Sequence, residues 1–238
     1  MWELIIDGPK DGETNMAIDS EMLKDVEASE EPRTIVRFYQ WQRPTISLGR
    51  NQQIDSAVDQ RYCLDNAIDI VHRPTGGRAV LHDDELTYAV ASNDASYFGD
   101  TIYGNYKRVS EALCQAFHRL GVDAVLACDT RKPNNSDFQM DPPCFVSTSR
   151  YELMVNGRKI VGSAQRRLRR SFLQHGSMPI TCDPEKLART TRVADASLLR
   201  QEMAGITEFL PERPTMTTLT NAMVGAFQDY FQIEFRSR

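Results

Sequence analysis

The sequence predicts a mixed α/β (α+β) fold, in which β-strands come in groups and helices lie between the groups. Short β-prone runs recur along the chain, and several follow one another with no helix between them. Two apolar patterns with helical spacing, at residues 106–120 and 216–231, accompany these runs. Domains usually contain about 50–250 residues, so the 238-residue chain is either one large domain or two small ones.

The first elements along the chain are a helix and two strands. Apolar side chains approximate one helical face across residues 15–27, which predicts a helix there. Residues 35–39 and 45–49 are rich in β-branched or aromatic side chains and predict strands. Between them, Arg43-Pro44 predicts a turn.

The middle of the chain contains further strands and the first long helix. Residues 68–72 and 86–91 predict strands. The helix at 106–120 is expected to end at Gly121, because glycine readily adopts the left-handed conformation of a helix C-terminus. Residues 122–128 predict a strand after that glycine.

A polar segment precedes a predicted hairpin. Residues 129–143 are rich in proline and asparagine, which predicts a loop. Asn156-Gly157 is the strongest short signal for a β-hairpin, because both residues tolerate a positive φ. We therefore expect residues 151–155 to pair with residues 159–163.

The last two predicted elements are a strand and a helix. Residues 172–180 predict the strand. The helix is indicated by apolar residues at helical spacing, which are Met216, Leu219, Met223, Phe227 and Phe231.

Composition indicates an ordinary globular protein with an acidic balance. Lysine and arginine number 28 against 33 aspartates and glutamates, giving a net charge of −5, which argues against nucleic acid as a partner. No run of about 18 apolar residues occurs, so we expect no membrane span. The five cysteines are scattered, so we expect no metal site and a cytoplasmic location with free thiols.

The stretch from Arg73 to His82 is the most informative part of the sequence. It places Gly76-Gly77 between Arg73 and Arg78. Glycines allow a positive φ and a close approach to a ligand, and arginines supply forked donors for carboxylate, phosphate or carbonyl oxygens. The stretch matches neither a P-loop nor a dinucleotide-binding motif. The alternatives are that the glycine pair forms a plain turn and that His82 is a packed side chain.

A second cluster of glycines and cations lies at residues 157–165, and the two clusters together suggest one pocket. In the predicted hairpin Lys159 lies opposite Met154. Alternation along the strand then places Lys159, Val161 and Ser163 on one face. The alternative is an ordinary surface lysine.

Cys144 follows Pro142-Pro143 shortly before this hairpin. A thiol becomes a nucleophile as the thiolate, so its free pKa of about 8.5 must fall, and a cation such as Lys159 has that effect. The alternative is a packed or idle thiol. That interpretation applies to the remaining cysteines, which are Cys63, Cys114, Cys128 and Cys182.

Four arginines concentrate positive charge in this acidic chain: Arg166, Arg167, Arg169 and Arg170. The cluster is either an ordinary solvated surface or a docking site for an acidic protein or a phosphate-bearing carrier, because complementary charge steers encounter.

The motifs RPTGGRAVLHDDELTYAV, GRKIVGSAQRR and LQHGS follow one another in the chain, after the stretch NMAID at residues 15–19. Taken together they resemble the lipoate–protein ligase and octanoyltransferase family, which includes the catalytic domain of biotin–protein ligases. The register of Cys144-Phe145 before Tyr151-Glu152-Leu153 resembles the cysteine-dependent octanoyltransferases of the Gram-positive type.

The resemblance implies a mixed β-sheet catalytic domain with flanking helices and an apolar tunnel for an acyl chain. It implies that Cys144 and Lys159 are the catalytic residues. By motif position it implies these substrate-binding residues: Arg73, Thr75, Gly76, Gly77, Arg78, His82, Gly162, Ser163, Ala164 and His175. Few residues follow the last motif, so we expect one catalytic domain over 1–238 without the large C-terminal accessory domain of many ligases.

The resemblance leaves two chemistries open. Transferases take octanoate from acyl carrier protein through a cysteine thioester and need no cofactor, whereas ligases activate lipoate with ATP and Mg²⁺. The arginine after Gly76-Gly77, where ligases usually carry a third small residue, favours the transferase. The expected acceptor is a lysine of a glycine-cleavage H protein or of a 2-oxoacid dehydrogenase lipoyl domain. A non-catalytic subunit that docks a lipoyl domain through the arginine cluster is a further alternative.

Overall fold

The computed structural model describes residues 1–99, 101–127, 151–193 and 195–237. In these ranges the strands are β1 (Trp2–Ile6), β2 (Thr34–Tyr39), β3 (Thr45–Leu48), β4 (Asp69–His72), β5 (Val80–His82), β6 (Glu85–Ser92), β7 (Val125–Leu126), β8 (Leu153–Val155), β9 (Arg158–Lys159), β10 (Gly162–Arg167), β11 (Phe172–Pro179) and β12 (Arg236–Ser237). The helices are α1 (Gly12–Ala28), α2 (Ile54–Ala57), α3 (Gln60–Asp65), α4 (Ile102–Arg119), α5 (Pro184–Thr191), α6 (Ala196–Glu202) and α7 (Met216–Phe231), with a 3₁₀ turn at Ile206–Phe209.

A six-stranded mixed sheet with the order β10-β11-β6-β2-β1-β12 lies at the centre of the fold. Strand β1 is parallel to β2 and to β12, whereas β2, β6, β11 and β10 are antiparallel to one another in turn. Helix α1 makes the crossover between β1 and β2 that parallel pairing requires. The predicted mixed sheet with flanking helices is therefore confirmed.

The two faces of this sheet bury different side chains, because successive strand residues point to opposite sides. On one face Val36, Phe38 and Val90 pack with α4 and α7. On the other face Ile35 and Ala89 pack with α1. Every residue of the central strands β2 and β6 is consequently buried.

Two smaller sheets, β4-β3-β5 and β7-β8-β9, lie beside the large one. Helices α5 and α6 pack on β5 through an apolar cluster that contains Val80, Leu187 and Leu199. Directly after α6, the Ala204 N–H donates to the Lys159 carbonyl at 3.0 Å. The C-terminal helices therefore connect the β4-β3-β5 sheet to the hairpin that carries Lys159.

Local predictions based on glycine and asparagine are confirmed. Gly121 follows α4 with a φ of 81°. In the β8–β9 hairpin Asn156 and Gly157 have φ values of 50° and 79°. Met154 pairs with Lys159, as the two-residue turn requires.

The strand predicted at 122–128 is wrong in its extent, since among the described residues 122–127 only Val125–Leu126 is a strand. The Val122 N–H bonds back to the Phe117 carbonyl at the end of α4. This local closure uses a backbone donor that a longer strand would pair across a sheet.

The strand predicted at 159–163 is also wrong, because the chain changes sheets within it. It leaves the β7-β8-β9 sheet after Lys159 and enters the six-stranded sheet at Gly162. Ile160 and Val161, between the two strands, are both buried. Burial of two consecutive apolar side chains overrides strand alternation, so Lys159 and Ser163 lie in different sheets and do not share one strand face.

Sequence reasoning missed strands β1, β5 and β12 and the short helices α2, α3, α5 and α6. For α5 a signal exists, since Asp183 accepts a hydrogen bond from the Lys186 N–H and Pro184 occupies the first turn. Both features are typical of a helix N-terminus. The loop predicted at 129–143 lies outside the described residues.

Candidate active site

A cavity lies between the six-stranded sheet and the β4-β3-β5 sheet. Its unfilled space, together with the open solvent at its mouth, is about 340 Å³. Met16 of α1, Tyr39 of β2 and Val80 of β5 form apolar parts of its wall. Six of the sequence-predicted residues also line it: Arg73, His82, Gly162, Ser163, Ala164 and His175. The cavity thus brings together residues from both glycine-containing clusters.

Arg73 directs its guanidinium into the protein and holds the loop that follows it. Nη1 donates to the Ser47 carbonyl at 2.8 Å, and Nη2 donates to the carbonyls of Gly76 at 2.8 Å and Arg78 at 2.6 Å. The planar fork of arginine suits several acceptors at once. Arg73 therefore fixes the backbone of the glycine-pair loop, which we define as residues 73–78.

Glycine is required at Gly49, where the neighbouring strand meets this loop. A Cβ on Gly49 would lie 2.0 Å from the Gly77 carbonyl oxygen. Gly77 itself has a φ of 92°, which glycine adopts readily. A Cβ on Gly76, in contrast, would meet nothing within 4 Å.

A buried chain of hydrogen bonds connects this loop to α1. Thr75 Oγ1 lies 2.7 Å from His175 Nε2, and His175 Nδ1 lies 2.8 Å from Asp19 Oδ2. Asp19 also accepts from Arg37 and Tyr39, each at 2.9 Å. Burial lowers the pKa of His175, and Asp19 opposes this shift only in part. The imidazole is therefore neutral at neutral pH, with Nδ1–H donating to Asp19 and Nε2 accepting from Thr75.

A second chain of the same kind connects β6 to Ser47 of β3, which accepts hydrogen bonds from Arg73 at the start of the loop. Ser47 Oγ lies 2.8 Å from His82 Nε2, and His82 Nδ1 lies 2.8 Å from Glu85 Oε1. Trp41 stacks on the His82 ring with 4.1 Å between centroids. Thr87 donates to the same carboxylate through a short hydrogen bond. We call these two chains of acid, histidine and hydroxyl the relays.

The wall opposite the loop is formed by the start of β10 and by β11. Ser163 Oγ lies 2.7 Å from the Tyr88 hydroxyl, which also accepts from Gln174 Nε2 at 2.9 Å. Burial raises the pKa of Tyr88 to about 12, so this hydroxyl keeps its proton. A Cβ on Gly176 would lie 2.6 Å from the Tyr88 ring and 2.8 Å from the Gly162 carbonyl oxygen. Position 176 therefore requires glycine, because any side chain there would overlap Tyr88 and the start of β10.

The other predicted site residues that the structure describes lie outside the cavity lining. Thr75 is fully buried, Gly77 is exposed, and Gly76 and Arg78 are half-buried. Lys159 lies on the β8–β9 hairpin, where its ammonium is 2.6 Å from the Glu152 carboxylate. Cys144 lies outside the described residues.

Sequence reasoning did not assign the acids and the serine of the relays as site residues: Asp19, Glu85 and Ser47. A signal existed in α1, because Asn15 and Asp19 are four residues apart and so share a face of the helix. It also existed at His82, because Glu85 follows three residues later.

The cysteines that the structure describes, which are Cys63, Cys114 and Cys182, are poor nucleophiles. Burial raises the pKa of Cys63 and of Cys114, and it raises the pKa of Cys182 to about 12. A raised pKa disfavours the thiolate at neutral pH.

The arginine cluster is partly engaged with the protein itself. Arg166 Nη1 donates to the Pro74 carbonyl at 3.3 Å, and Arg170 Nη2 donates to the Glu27 carbonyl at 2.8 Å. Arg169 is exposed. The cluster therefore lies beside the glycine-pair loop at one end and beside α1 at the other.

The described ranges contain neither a candidate metal cluster nor a helix that could span a membrane. Within them, no group of three or more histidine, cysteine, aspartate or glutamate side chains could hold a metal ion. None of the helices described there combines the length and apolar character needed to cross a bilayer.

Comparison with known proteins identifies relatives along nearly the whole chain. Residues 11–228 match the family model of the lipoyl protein ligase A/B catalytic domain. Octanoyltransferase LipM of Moorella thermoacetica is 34% identical over 242 residues, which cover 98% of this chain and 88% of that protein. Octanoyltransferase LipM of Geobacillus kaustophilus is 38% identical over 190 residues, which cover 79% of this chain and 68% of that protein.

Solved structures share the fold. A putative lipoate protein ligase from T. acidophilum has a TM-score of 0.76 at 23% identity, covering 99% of this chain and 88% of that chain. Lipoate-protein ligase A bound with ATP has a TM-score of 0.77 at 24% identity, covering 99% and 87%. A bipartite lipoate protein ligase from Thermoplasma acidophilum, studied with its E2 lipoyl domain, has a TM-score of 0.75 at 23% identity, covering 99% and 86%.

The contact between Gly49 and Gly77 predicts unequal effects of two alanine substitutions. Gly49→Ala should lower the free energy of unfolding by about 1–3 kcal/mol, because its Cβ overlaps the Gly77 carbonyl and overpacking has this cost. Gly76→Ala adds a Cβ in open space, so stability should remain within about 1 kcal/mol of wild type. Urea unfolding at 25 °C measures the free energy of unfolding of both variants. Equal decreases in the two variants would contradict the close contact between Gly49 and the Gly77 carbonyl.

The lowered pKa of His175 predicts a specific loss of stability in acid. The unfolded chain takes up this proton near its ordinary pKa of about 6.5, whereas the folded protein does so only at lower pH. The free energy of unfolding should therefore fall as pH decreases through about 6.5. In His175→Gln this part of the slope between about pH 5 and 7 should vanish, whereas the exposed control His72→Gln should retain it. Chemical unfolding at a series of pH values tests this, and an unchanged slope in His175→Gln would refute it.

Proposed function

Because the chain is an enzyme that belongs to the lipoyl protein ligase A/B catalytic domain family, we propose that it is a protein octanoyltransferase. It moves an octanoyl or lipoyl group from acyl carrier protein to a lysine of a lipoyl-carrier protein. The observation that carries the proposal is the 34% identity to an octanoyltransferase over 98% of the chain.

The cavity supports this proposal with suitable walls for an acyl chain. Met16 and Val80 provide apolar surface for the hydrocarbon. In the described part of the chain β10 is the edge strand of the six-stranded sheet, so alternate backbone groups at 162–164 point away from β11. Backbone N–H groups there, or at Gly76-Gly77, would stabilise the oxyanion of the tetrahedral intermediate.

Cys144 is the proposed nucleophile, on the sequence argument that it stands in register before the hairpin. Its thiolate attacks the thioester carbonyl, a new carbon–sulfur bond forms, and the carrier thiol leaves with a proton. The acceptor amine then attacks the acyl-enzyme, an amide forms, and Cys144 departs as the thiolate. Lys159 stabilises that thiolate and moves protons between these groups.

The proposed reaction needs no cofactor, because conversion of a thioester to an amide is downhill. ATP and Mg²⁺ would be needed only by the alternative ligase activity. That activity remains an alternative because lipoate ligases have the same fold. Among the described residues that line the cavity, Arg73 carries the one permanent cation, and it already binds backbone carbonyls. This arrangement supports the transferase, since a triphosphate needs cations directed at it.

The proposed acceptor is a glycine-cleavage H protein or a 2-oxoacid dehydrogenase lipoyl domain. Support comes from the structural relative that was studied with its E2 lipoyl domain. We also propose a cytoplasmic location, because the cysteines that the structure describes are free thiols.

Incubation with octanoyl-acyl carrier protein tests the proposal through intact mass. The wild-type enzyme should gain one octanoyl group, and Cys144→Ala should gain none. Cys182→Ala is the matched control and should gain one group, because burial raises the pKa of the thiol that it removes. An unchanged adduct on Cys144→Ala would exclude the thioester mechanism.

The same preparations distinguish the ligase. A ligase would catalyse ATP–pyrophosphate exchange with lipoate, and Cys144→Ala would retain that exchange. An absence of exchange together with the octanoyl adduct supports the transferase.

A further inference from the structure

The relay that contains His175 already holds a permanent cation. Its acid, Asp19, accepts from the Arg37 guanidinium at 2.9 Å and lies 2.8 Å from His175 Nδ1. A proton added to His175 would therefore place two buried cations around one carboxylate, and an uncompensated buried charge is costly. In agreement with this, burial lowers the pKa of His175, and the nearby Arg73 adds to the shift.

The acid of the other relay, Glu85, has a different set of partners. In the described part of the chain its carboxylate is hydrogen-bonded by the side chains of His82, Thr87 and Ser177, and only the histidine among these three can carry positive charge. Glu85 is 3% exposed, so water does little to stabilise its charge. A proton on His82 would complete a buried ion pair and would not add a second cation.

Trp41 favours the same protonated state. Its ring stacks on that of His82 with 4.1 Å between centroids and 15° between planes. The face of an indole ring attracts a cation that lies within about 6 Å of its centroid. The ring is itself held in place, because Trp41 Nε1 donates to Thr87 Oγ1 at 2.8 Å. Of the two relay histidines, His82 is therefore the better proton acceptor.

The Ser47 hydroxyl connects His82 to the cavity. Thr45 pairs with His82, so Ser47 lies two positions further along the same side of β3, on the diagonal that brings side chains together. Ser47 Oγ lies 2.8 Å from His82 Nε2 and accepts from Arg73 Nη1 at 3.2 Å. In the neutral imidazole Nδ1–H donates to the carboxylate, so Nε2 accepts the hydrogen of Ser47. Both residues line the cavity, so a proton can pass from the cavity through Ser47 to His82.

We propose that His82 accepts a proton from the amine that receives the acyl group, and that the Ser47 hydroxyl carries this proton to it. The proposal rests on the proposed function. An acceptor lysine is an ammonium at neutral pH, and an ammonium has no lone pair with which to attack a thioester. Ser47 takes one proton from the ammonium as it gives its own to His82 Nε2, and Glu85 stabilises the imidazolium that results.

Two protons leave the acceptor nitrogen, because an ammonium has three N–H bonds and an amide has one. The first goes to His82 before the carbon–nitrogen bond forms. The second leaves as the carbon–sulfur bond breaks, and it passes to water. His82 gives its own proton to water once the product has left, and Lys159 keeps its proposed part at the sulfur atoms.

The experiment follows the two half-reactions of the full-length enzyme separately. Loading is acylation by octanoyl-acyl carrier protein, and unloading is transfer from the isolated acyl-enzyme to an apo lipoyl domain; intact mass measures both. The forms compared are wild type, His82→Gln, His82→Ala and His175→Ala. The last is the matched control, because it removes the imidazole of the other relay from the same cavity. Thermal unfolding establishes the folded fraction of each form.

A missing base should affect unloading alone. In His82→Gln we expect loading within about threefold of wild type and unloading slower by about 100-fold, since a positioned base contributes about 10²–10⁴-fold to a rate. Between about pH 7 and 9 the residual unloading rate should rise nearly tenfold per pH unit, because only the free amine of the acceptor then reacts.

Free imidazole distinguishes a missing base from a damaged wall. In His82→Ala it can occupy the space beside Trp41, so it should speed unloading by about tenfold or more. In His175→Ala it should leave the unloading rate unchanged, whatever that rate is, because His175 is not the proton acceptor.

Contrary outcomes are separable. Equal losses in loading and unloading of His82→Gln, or no response of His82→Ala to imidazole, would overturn this proposal while the acyl-enzyme of the wild type still supported the proposed function. If neither His82 variant folds, wild-type unloading in Glu85→Gln would overturn it equally. Absence of loading in the wild type would instead refute the proposed function. If that enzyme attaches lipoate with ATP, the same variants are compared in that reaction, because the acceptor ammonium must lose a proton there too.

Discussion

The Arg37 guanidinium lies between α1 and the six-stranded sheet, with no access to solvent. It donates to Asp19 at 2.9 Å, to Asn15 Oδ1 at 2.7 Å and to Asp7 at 2.8 Å, and it lies 3.8 Å from the centroid of the Tyr39 ring. Removing one partner of such a buried pair costs about 3–5 kcal/mol, because the remaining charge is left uncompensated. The position of α1 on the sheet, and hence the helical wall of the cavity, depends on this cation.

From Asp19 the same interaction reaches the glycine-pair loop. His175 and Thr75 extend it to the middle of the loop. The relay through Glu85 and His82 ends at Ser47, which accepts hydrogen bonds from Arg73 at the start of the loop. Inside the loop four carbonyl oxygens accept hydrogen bonds. Two of them accept from Arg73, that of Thr75 accepts from the backbone of Arg50, and that of Pro74 accepts from Arg166. Carbonyls held in this way face their donors, so a developing oxyanion near the loop meets less repulsion from them.

The sequence was sufficient where a local signal decides the structure. Asn156-Gly157 specified the hairpin and the partner of Lys159, since turn geometry fixes register. It was insufficient for the environment of Lys159, because the burial of this lysine depends on contacts with distant residues such as Ala204.

Similarity to the family's motifs likewise identified residues that line the cavity, but it did not reveal which hydrogen bonds these residues make. Arg73 was expected to face a substrate, and its direction toward backbone carbonyls can be read only from the folded chain. No role was predicted for the Arg37 side chain, because its counter-ion Asp19 comes from another element. The helices α5 and α6 were missed because their apolar faces are short and are completed by β5.

The change of sheet at Ile160-Val161 has a consequence for how this region can vary. Three peptide steps join Lys159 to Gly162, so the two are at most about 11 Å apart whatever the side chains do. A strand that gains or loses one residue turns all later side chains to the opposite face. One inserted residue in this link would therefore exchange inward and outward positions along β10 and move Ser163 away from the Tyr88 hydroxyl. Natural variation in chain length should accordingly be excluded from this link and confined to other segments.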